Sequence, residues 1–515
     1  MENNKKWTVI LAVLLFLQVV AQAVATVILL KLDMLPSNLV VAMLVSMALL
    51  ALATALLIFV KVNGKIALWR RIVAILFAVL VICGSVVAAY MASTVKKTVE
   101  NVSGADITAN SRNVYVLVLS DDPAQTLADT AGYRFGVIEN YDIEHTQQAI
   151  HAVEAANGET VTPNYYPSAS AMGAALYSKE VNALIVSGVS ISFLIEEENY
   201  GDFMERVRVL HTQPFTEEET PEQTIPEAQV EDVITKPFVV YISGSDTRSD
   251  KLAVSLSDVN ILATVNPQTK QILLLNTPRD YFVPNPAGNG ALDKLTHCGK
   301  YGVNYSIQAL ENLYGIKVDY YGRINFTGFE AFIDAIGGIN FYSDVAFTAR
   351  DTSIKAGDNY LTGAQALDVS RERYHVKGGD NGRGKNQMKL IEAVVKKVST
   401  SSTIISNYGQ ILNSLVGMFE TSFQAEEISA LVKMQLSDMA TWDIQSYAVV
   451  GKGGSEITYS YPGQQLSVMW PDEKAVAHGS ALVQKVRNGE ILTQDDMTLP
   501  TYTVAAGNIP AAIFC

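Results

Sequence analysis

Three long runs of apolar residues open the chain and constrain its fold more than any other feature. They cover Trp7–Leu30, Leu39–Val60 and Ile72–Met91, and none of them contains a charged residue. Each run has about twenty residues or more, which is the length that an α-helix needs to cross the hydrocarbon core of a bilayer. We therefore predict a three-helix membrane anchor over residues 1–97, with helices at about 7–30, 39–60 and 72–91.

The basic residues around these runs predict the orientation of the anchor. Lys5 and Lys6 precede the first run, and four further basic residues lie between the second and the third: Lys61, Lys65, Arg70 and Arg71. Because short cytoplasmic loops are enriched in Lys and Arg, we expect the N-terminus and the second loop in the cytoplasm. Lys96 and Lys97 favour the opposite orientation, but these two charges do not outweigh the other six. Everything after Met91 is then expected outside the membrane, in a multi-pass protein with a large extracytoplasmic part.

A cleaved signal peptide is the alternative reading of the first run. Ala21-Gln22-Ala23 has the small-residue pattern of a cleavage site and follows a Lys-led apolar stretch. The apolar run nevertheless continues through Leu30, which favours an uncleaved anchor.

Composition limits the partners of the remaining chain. The protein carries 38 basic and 52 acidic residues, a net charge of −14, and residues 98–515 alone carry 29 basic and 50 acidic residues, a net charge of −21. Duplex nucleic acid requires a basic surface, so it is not expected as a partner. Three cysteines are too few for a disulfide scaffold, and the pairing of Cys298 and Cys515 cannot be read from the sequence.

Beyond the anchor, the pattern of residues predicts two α/β domains. Strands at Val114–Leu119, Tyr133–Ile138 and Val181–Ser187, with a helix at Glu144–Ala156, indicate a small accessory α/β domain over residues 112–211. Residues 212–236 are crowded with Glu, Thr and Pro, which is typical of a solvated acidic linker. A second α/β domain is predicted over residues 237–490. The tail at 491–515 receives no role.

The second domain places two carboxylates where a sheet edge is expected. A strand at Phe238–Ile242 leads to Asp246, and Asp258 stands just before the next strand, Val259–Val265. If these strands pair antiparallel, the end of one lies beside the start of the other, and the two aspartates share one edge. Mg²⁺ takes one or two protein carboxylates together with substrate phosphates, so this edge is a candidate metal site.

Several arginines could complete such a site. Arg279 follows a third strand at Gln271–Leu275, and Arg371 and Arg373 would point to one face of an extended segment. Arg383 lies in a glycine-rich stretch, Gly378–Lys385, read as a loop before a helix from about Asn386 to Val398. Guanidinium groups bind phosphate oxygens through paired hydrogen bonds, which suggests a pyrophosphate site. Each residue alone also has a structural interpretation, as a turn aspartate or a solvated surface charge.

Two familiar motifs give only weak evidence for a functional site. Gly379–Lys385 matches the start of a phosphate-binding P-loop, but Asn386 stands where Ser or Thr should bind Mg²⁺, and the segment is predicted outside the cell. His297 beside Cys298 suggests a thiol–imidazole pair, yet sequence neighbours point apart in a strand. The six histidines show no zinc-binding spacing.

The second domain resembles the LytR-CpsA-Psr family over about residues 237–490. Motifs in the family's order carry the resemblance: GSD (244–246), SDVN (257–260), TVNP (264–267), PRD (278–280), DKLTH (293–297), DAIGGI (334–339), LTGAQAL (361–367), RER (371–373) and DNGRGKNQ (380–387). Three membrane helices followed by an accessory domain are similar to the capsule-associated CpsA branch. The resemblance implies an α/β sheet flanked by helices.

The resemblance to this family also implies a function. Such enzymes move a glycopolymer from undecaprenyl pyrophosphate to peptidoglycan as a Mg²⁺-dependent phosphotransferase, here with capsular polysaccharide as the expected polymer. Hydrolysis of the carrier pyrophosphate would be a side activity, and capsule-assembly proteins would be further partners. By motif position, Asp246 and Asp258 would hold the metal, and Asp246, Arg371 and Arg373 would be catalytic. Pyrophosphate would be bound by six residues: Arg279, Lys294, Arg371, Arg373, Arg383 and Gln387. The prenyl chain would lie in an apolar pocket between sheet and helices.

One departure from the family pattern motivates a second hypothesis. Many relatives have Arg two residues before the second aspartate, where this chain has Leu256, and Arg248 is the nearest substitute. Asn386 also stands where many relatives have Arg, although the CpsA-like branch has the same GKNQ, and Cys298 stands where a small residue is common. The alternative is therefore a polyprenyl-pyrophosphate-binding regulator or assembly partner of capsule synthesis, without full transferase activity and with the accessory domain as its partner surface.

Overall fold

The structure is a computed structural model of the 515-residue chain. It describes residues 2–60, 67–103, 113–139, 141–195, 197, 199–214, 230–245, 252, 255–401, 411 and 413–499.

The N-terminal part consists of three long apolar helices. They are α1 (Glu2–Leu32), α2 (Ser37–Phe59) and α3 (Leu68–Val102). All three are long enough and apolar enough to cross a membrane. Some of their polar side chains bond between helices, as where buried Thr54 Oγ1 donates to Gln18 Oε1 at 2.9 Å. The third helix extends to Val102, five residues beyond the predicted end of the anchor.

The accessory domain is built on one five-stranded mixed sheet. Its strands are β1 (Val114–Leu119), β2 (Phe135–Ile138), β3 (Asn164–Tyr166), β4 (Ala183–Ser187) and β5 (Val207–Gln213). Its α-helices are α4 (Ile143–Asn157), α5 (Ala169–Tyr177), α6 (Gly188–Leu194) and α7 (Phe203–Arg206). The strand order is β3-β2-β4-β1-β5, and β5 carries the domain to Gln213, slightly into the predicted linker.

The C-terminal domain, residues 230–499, supplies the remaining elements. Its strands are β6 (Phe238–Ser245), β7 (Ser257–Asn266), β8 (Gln271–Asn276), β9 (Phe282–Pro284), β10 (Leu292–Lys294), β11 (Tyr320–Asn325), β12 (Ile339–Ser343), β13 (Phe347–Ala349), β14 (Thr352–Ile354), β15 (Gly357–Leu361), β16 (Phe419–Thr421), β17 (Asp443–Ala448), β18 (Gly451–Thr458) and β19 (Tyr461–Pro471). Its α-helices are α8 (Asp232–Thr235), α9 (Leu295–Cys298), α10 (Val303–Tyr314), α11 (Phe326–Ala335), α12 (Gly363–Arg371), α13 (Asp380–Thr400), α14 (Ala425–Asp438) and α15 (Glu473–Arg487).

A six-stranded mixed sheet forms the centre of this domain, in the order β16-β11-β6-β7-β8-β17. Alternate side chains of each strand face opposite layers, as the strand geometry requires. Tyr241 and Leu262 belong to a core with α10 and α15, whereas Ile261 and Leu274 belong to a separate core beneath α13. Helices thus cover both faces of the sheet, which confirms the predicted fold class.

Among the described residues, the anchor contacts the C-terminal domain mainly through one apolar cluster. Met34, between α1 and α2, and Val95 and Val99 of α3 form an apolar cluster with residues of α14. Beside it, Lys433 Nζ lies 2.8 Å from Asp33 Oδ1. The α1–α2 connection and the end of α3 therefore lie on the same side of the helix bundle as the C-terminal domain.

One local prediction is wrong in an informative way. The stretch read as a glycine-rich loop up to Lys385 is mostly helix, because α13 begins at Asp380 rather than at Asn386. Only Gly378 and Gly379 have positive φ, at 94° and 56°. Gly384 instead permits close packing, since a Cβ there would lie 2.3 Å from Asn276 Nδ2. In the sequence, a glycine that allows close packing between two elements cannot be distinguished from a glycine that a turn requires.

Candidate functional site

The candidate site lies at one edge of the central sheet. Strand β6 pairs antiparallel with β7, so that its last residue, Ser245, is opposite Ser257. It pairs in parallel with β11, which places Asn325 beside Ser245. The end of β8, at Asn276, pairs with Ile261 of β7 at this edge as well. The antiparallel pairing on which the site prediction depended is therefore present.

A buried polar network sets the geometry of this edge. The Tyr241 hydroxyl donates to Asn260 Oδ1 at 2.7 Å and lies 2.9 Å from Ser257 Oγ. Ser257 Oγ is also 2.9 Å from Ser243 Oγ, across the two strands. Sequence reasoning missed these residues as positioning groups, although Ser257 and Asn260 belong to the SDVN motif. Their hydrogen bonds hold the backbone beside Asp258 in a single register.

Ion pairs join the acidic and basic side chains of this edge. Arg279 Nη1 lies 2.6 Å from Asp258 Oδ1, and Arg279 Nε lies 3.7 Å from Asp280 Oδ1. Lys294 Nζ is 2.5 Å from the same Asp280 oxygen. All four side chains are at most 19% exposed. Three of these residues were predicted site residues; Asp280 was not, although it belongs to the same PRD motif as Arg279.

The first turn of α13 adds a second ion pair. Arg383 contacts Asp380, and the Arg383 side chain is only 8% exposed. Burial raises the pKa of the Asp380 carboxyl, and the negative charges of Asp280 and Asp258 act in the same direction. Burial also lowers the pKa of the Arg383 guanidinium, as does the positive charge of Arg279. Gly384, in the turn that follows Arg383, lies against the Asn276 side chain at the end of β8, so the two ion-pair systems are neighbours at this edge.

We call this group the charged cluster; it consists of Asp258, Arg279, Asp280, Lys294, Asp380 and Arg383. Burial disfavours the charge on Arg279, but Asp258 and Asp280 outweigh it and raise the pKa of the guanidinium. Three acidic and three basic side chains give the cluster no formal net charge. Within the described part of the chain, three buried atoms of the cluster lack a hydrogen-bond partner: Arg279 Nε, Asp280 Oδ1 and Asp380 Oδ1. Two of these atoms make close ionic contacts instead, Asp280 Oδ1 with Lys294 and Asp380 Oδ1 with Arg383.

The other predicted arginines lie on elements next to the cluster. Arg371 ends α12, and its Cζ lies 4.6 Å from the ring centroid of Phe326, the residue after β11. Arg373 Nη2 donates to the Tyr374 hydroxyl at 2.6 Å. The expectation of an extended Arg371–Arg373 segment is wrong, because the helix continues through Arg371. The two side chains therefore contact different aromatic rings and do not share one face of a strand.

Gln387 links the two helices. It lies one turn after Arg383 on α13, and its Nε2 donates to the Ser370 carbonyl oxygen at 3.0 Å. This bond fixes the end of α12, immediately before Arg371, against α13. Asp246, predicted as catalytic and metal-binding, and Arg248 both lie outside the described residues.

A buried aspartate supports the strand that carries Lys294. Asp293 is fully buried and accepts hydrogen bonds from the Asn285 amide at 2.9 Å and from the Ser460 hydroxyl. His297 Nδ1 lies 2.6 Å from Asp293 Oδ1. His297 is therefore engaged by a carboxylate, and burial raises the pKa of the Cys298 thiol well above its ordinary value. This arrangement does not support a thiol–imidazole nucleophile.

Comparisons with known proteins match the region that contains this site. The model of the LytR_cpsA_psr family matches residues 209–475. A teichoic acid transferase of Enterococcus faecalis, TagU, is 34% identical over 198 residues, which are 38% of this chain and 65% of that protein. The TagU of Halalkalibacterium halodurans is 32% identical over 219 residues, 42% of this chain and 70% of that protein. The chain thus spans slightly less than two thirds of the first relative.

Solved structures are similar over about half of the chain. The protein gbs0355 of Streptococcus agalactiae matches with 25% identity and a TM-score of 0.43, covering 52% of this chain and 91% of that one. TagV of B. subtilis matches with 23% identity and a TM-score of 0.41, covering 50% of this chain and 99% of that one.

Proposed function

Since the chain belongs to the LytR_cpsA_psr family, we propose that it transfers a glycopolymer from a polyprenyl-pyrophosphate carrier to peptidoglycan. The observation that carries the proposal is the charged cluster, where Arg279, Lys294 and Arg383 converge at one sheet edge. The curated relatives, whose names describe polyisoprenyl-teichoic acid–peptidoglycan teichoic acid transferases, support this class of reaction.

The cluster suits a pyrophosphate bound together with a divalent cation. Its charges cancel, so an added pyrophosphate would leave a negative excess in a half-buried site. Mg²⁺ would remove this excess and neutralise charge on the phosphate oxygens. Among the described residues, no three Asp, Glu, His or Cys side chains converge to hold a metal without further ligands. One or two carboxylates are enough when substrate phosphates complete the shell, and we assign this role to Asp258 and Asp246.

The basic residues would position the carrier and stabilise the leaving group. An acceptor hydroxyl oxygen would form a bond to the phosphorus that bears the polymer, and its proton would pass to solvent. The bond from that phosphorus to the bridging oxygen would break, and prenyl phosphate would leave with the bridging oxygen. Arg279, Arg383 and Lys294 would bind the pyrophosphate oxygens, with Arg371, Arg373 and Gln387 completing the site from α12 and α13. Fixed guanidinium groups are suited to the charge that develops in phosphoryl transfer.

An apolar layer next to the cluster would accommodate the prenyl chain. Ile242 and Val259 on the sheet, and Ile391 and Val395 on α13, pack on the same core but remain partly exposed. A prenyl chain placed there would bury this surface at about 25 cal/mol per Å². We therefore place the carrier tail between the sheet and α13.

The family resemblance and the anchor suggest where and on which polymer the enzyme acts. We propose a multi-pass location in a bacterial cell membrane, with the accessory and C-terminal domains outside. Capsular polysaccharide is the proposed polymer, because three membrane helices and an accessory domain are similar to the capsule-associated branch. A teichoic acid would be the polymer if the curated relatives are the better guide. Capsule-assembly proteins are proposed as further partners.

The test uses the full-length protein in lipid nanodiscs with a short-chain prenyl pyrophosphate. We expect binding and phosphate release with Mg²⁺, both lost in EDTA and reduced at least tenfold in Asp258→Asn. Asp351→Asn, an exposed aspartate of the same domain, is the matched control. Wild-type polymer ligation in cells with the double variant Arg371→Ala, Arg373→Ala would contradict the proposal.

Leu256 favours one competing function. Its side chain packs against the main core beside β7, at the place where many relatives have an arginine. A site short of one cation could bind the carrier without transferring the polymer, as a regulator would. Tight Mg²⁺-dependent binding without turnover, even with acceptor present, would support the regulator, and gain of turnover in Leu256→Arg would identify the missing cation as the cause.

A further inference from the structure

A second candidate site lies where the accessory domain meets the C-terminal domain. This interdomain cleft has a volume of about 610 Å³, within the range of roughly 300–1,000 Å³ that is usual for small-molecule sites. One wall comes from the accessory domain, at Glu139 and Pro167. The other comes from β9, β10 and the β18–β19 hairpin.

The two walls are held together by direct contacts. The Tyr141 and Tyr301 hydroxyls are 2.9 Å apart, and the Tyr461 hydroxyl donates to Glu197 Oε1 at 2.5 Å. In the hairpin, a Cβ at Gly463 would lie 2.7 Å from the Pro167 carbonyl oxygen, and its φ of +99° also favours glycine. The cleft is therefore preformed by tight packing between the domains.

The lining combines aromatic rings with free polar groups. Trp470, which is 39% exposed, packs edge-on against Phe282 with ring centroids 4.9 Å apart, and Tyr459 lies on the same wall. Neither Glu139 nor Glu456 forms an ion pair with another described residue. Thr458 is buried at the lining, and its Oγ1 has no hydrogen-bond partner in the described part of the chain.

This chemistry selects a class of ligand. Sugar rings have apolar C–H faces that pack on aromatic rings, and their hydroxyl and amide groups donate hydrogen bonds to carboxylates. The cleft has two acidic and no basic side chains among its lining residues, so a polyanion would be repelled. An uncharged, N-acetylated glycan fits both properties, whereas a phosphate-rich polymer does not.

Residues of the cleft wall are direct neighbours of residues of the charged cluster. Phe282, on its wall, is the strand partner of Lys294 and lies two residues after Asp280. The hairpin is tied to the same place, because the Met469 amide donates to the Asp280 carbonyl oxygen at 2.7 Å. Two extended residues span only about 7 Å, so this wall of the cleft lies close to the charged cluster.

We propose that the interdomain cleft binds the glycan strand of the acceptor and directs its hydroxyl toward the charged cluster, an inference that rests on the proposed transferase function. The accessory domain thereby supplies part of the acceptor site. Trp470 and Glu456 provide the stacking surface and the hydrogen-bond acceptor.

The experiment measures binding of an N-acetylglucosamine hexamer to the full-length protein in nanodiscs, without donor. We expect Trp470→Ala and the isosteric Glu456→Gln each to weaken hexamer binding about tenfold. The first variant would lose a stacking contact, and the second would lose a charge-assisted hydrogen bond. Tyr342→Ala and Glu205→Gln, exposed residues away from the cleft, are the matched controls. Binding of short-chain prenyl pyrophosphate should stay unchanged in all four variants, and KM for the acceptor should rise with kcat unchanged in the first two.

Three results would overturn this proposal while leaving the transferase function intact. The first is transfer by the wild type with no measurable hexamer binding, and the second is equal hexamer binding in wild type and both cleft variants. The third is a loss confined to the lipid-linked donor polymer, which would assign the cleft to the donor. Failure of the wild type to bind prenyl pyrophosphate would instead refute the proposed function, and hexamer binding would still be measured independently.

Discussion

Arg279 shows how single residues at the sheet edge depend on each other. Its guanidinium contacts Asp258 and lies near Asp280, which in turn is bound by Lys294. A partly buried chain of opposite charges holds each side chain in one orientation, since breaking a single link would leave a charge without compensation. Such a preformed arrangement reduces the reorganisation required when a pyrophosphate binds.

Asp293 leads to a prediction about pH. Burial opposes its charge, but His297, Ser460 and Asn285 outweigh burial and lower the pKa of its carboxyl below the ordinary value of 3.8. A lowered pKa in the folded state stabilises the protein above the unfolded pKa, and this contribution is lost as pH falls through the folded value. We expect Asp293→Asn to cost about 3 kcal/mol at pH 7, and to lower the apparent Tm by about 6–12 °C.

The measurement is thermal unfolding of the full-length protein from pH 7 down to pH 3. The difference in Tm between wild type and Asp293→Asn should decrease below about pH 4, because the stabilisation by the ionised wild-type carboxylate is lost there. The exposed control Asp351→Asn should follow the wild type throughout. A constant difference at all pH values would show that the charge of Asp293 contributes nothing.

At the scale of elements, helix α13 connects the cluster to the rest of the domain. Its first turn carries Asp380 and Arg383, its next turn carries Gln387, and its later turns cover the sheet. The helix can approach β8 closely only because Gly384 faces Asn276. A substitution there changes the position of an element rather than one contact.

We therefore predict that Gly384→Ala weakens prenyl-pyrophosphate binding about tenfold. The added Cβ would clash with the Asn276 side-chain amide, and overpacking of this kind costs about 1–3 kcal/mol, here as a shift of the N-terminal turn of α13. Gly453→Ala is the matched control, because a Cβ at Gly453 meets no atom within 4 Å. Binding in nanodiscs checks both variants, and equal affinity in the two would contradict the role given to α13.

At the scale of the whole molecule, the anchor and the C-terminal domain are in direct contact. The connection between α1 and α2 contacts α14 through Met34 and the Asp33–Lys433 ion pair. The end of α3 contacts the same helix through Val95 and Val99. This places the α1–α2 connection on the same side of the helix bundle as the C-terminal domain.

Cysteine labelling tests the orientation predicted from the basic loop at residues 61–71. In a variant without Cys83, Cys298 and Cys515, a membrane-impermeant maleimide should label Asp33→Cys in intact cells. It should label Asn63→Cys only after permeabilisation, because the basic loop is expected in the cytoplasm. Glu205→Cys in the accessory domain serves as the external control. Labelling of position 63 in intact cells would reverse the topology.

The sequence alone determined the elements whose signals are local. Apolar runs of membrane-spanning length predicted the three anchor helices, and β-branched runs predicted β1 and β6–β8, because these patterns report burial directly. The antiparallel pairing at the sheet edge also followed from adjacent strands. By contrast, helix α13 was predicted to begin at Asn386 because Gly382 and Gly384 resemble loop residues.

Only the tertiary structure decided which charges meet. Asp280 and Asp380 join the charged cluster through strand order and helix packing, and Arg371 and Arg373 have separate aromatic neighbours because α12 continues through Arg371. The interdomain cleft could not be predicted either, since Glu139 and Trp470 lie more than three hundred residues apart in sequence. Local patterns encode which residues are buried, whereas a site made from several elements depends on how those elements pack.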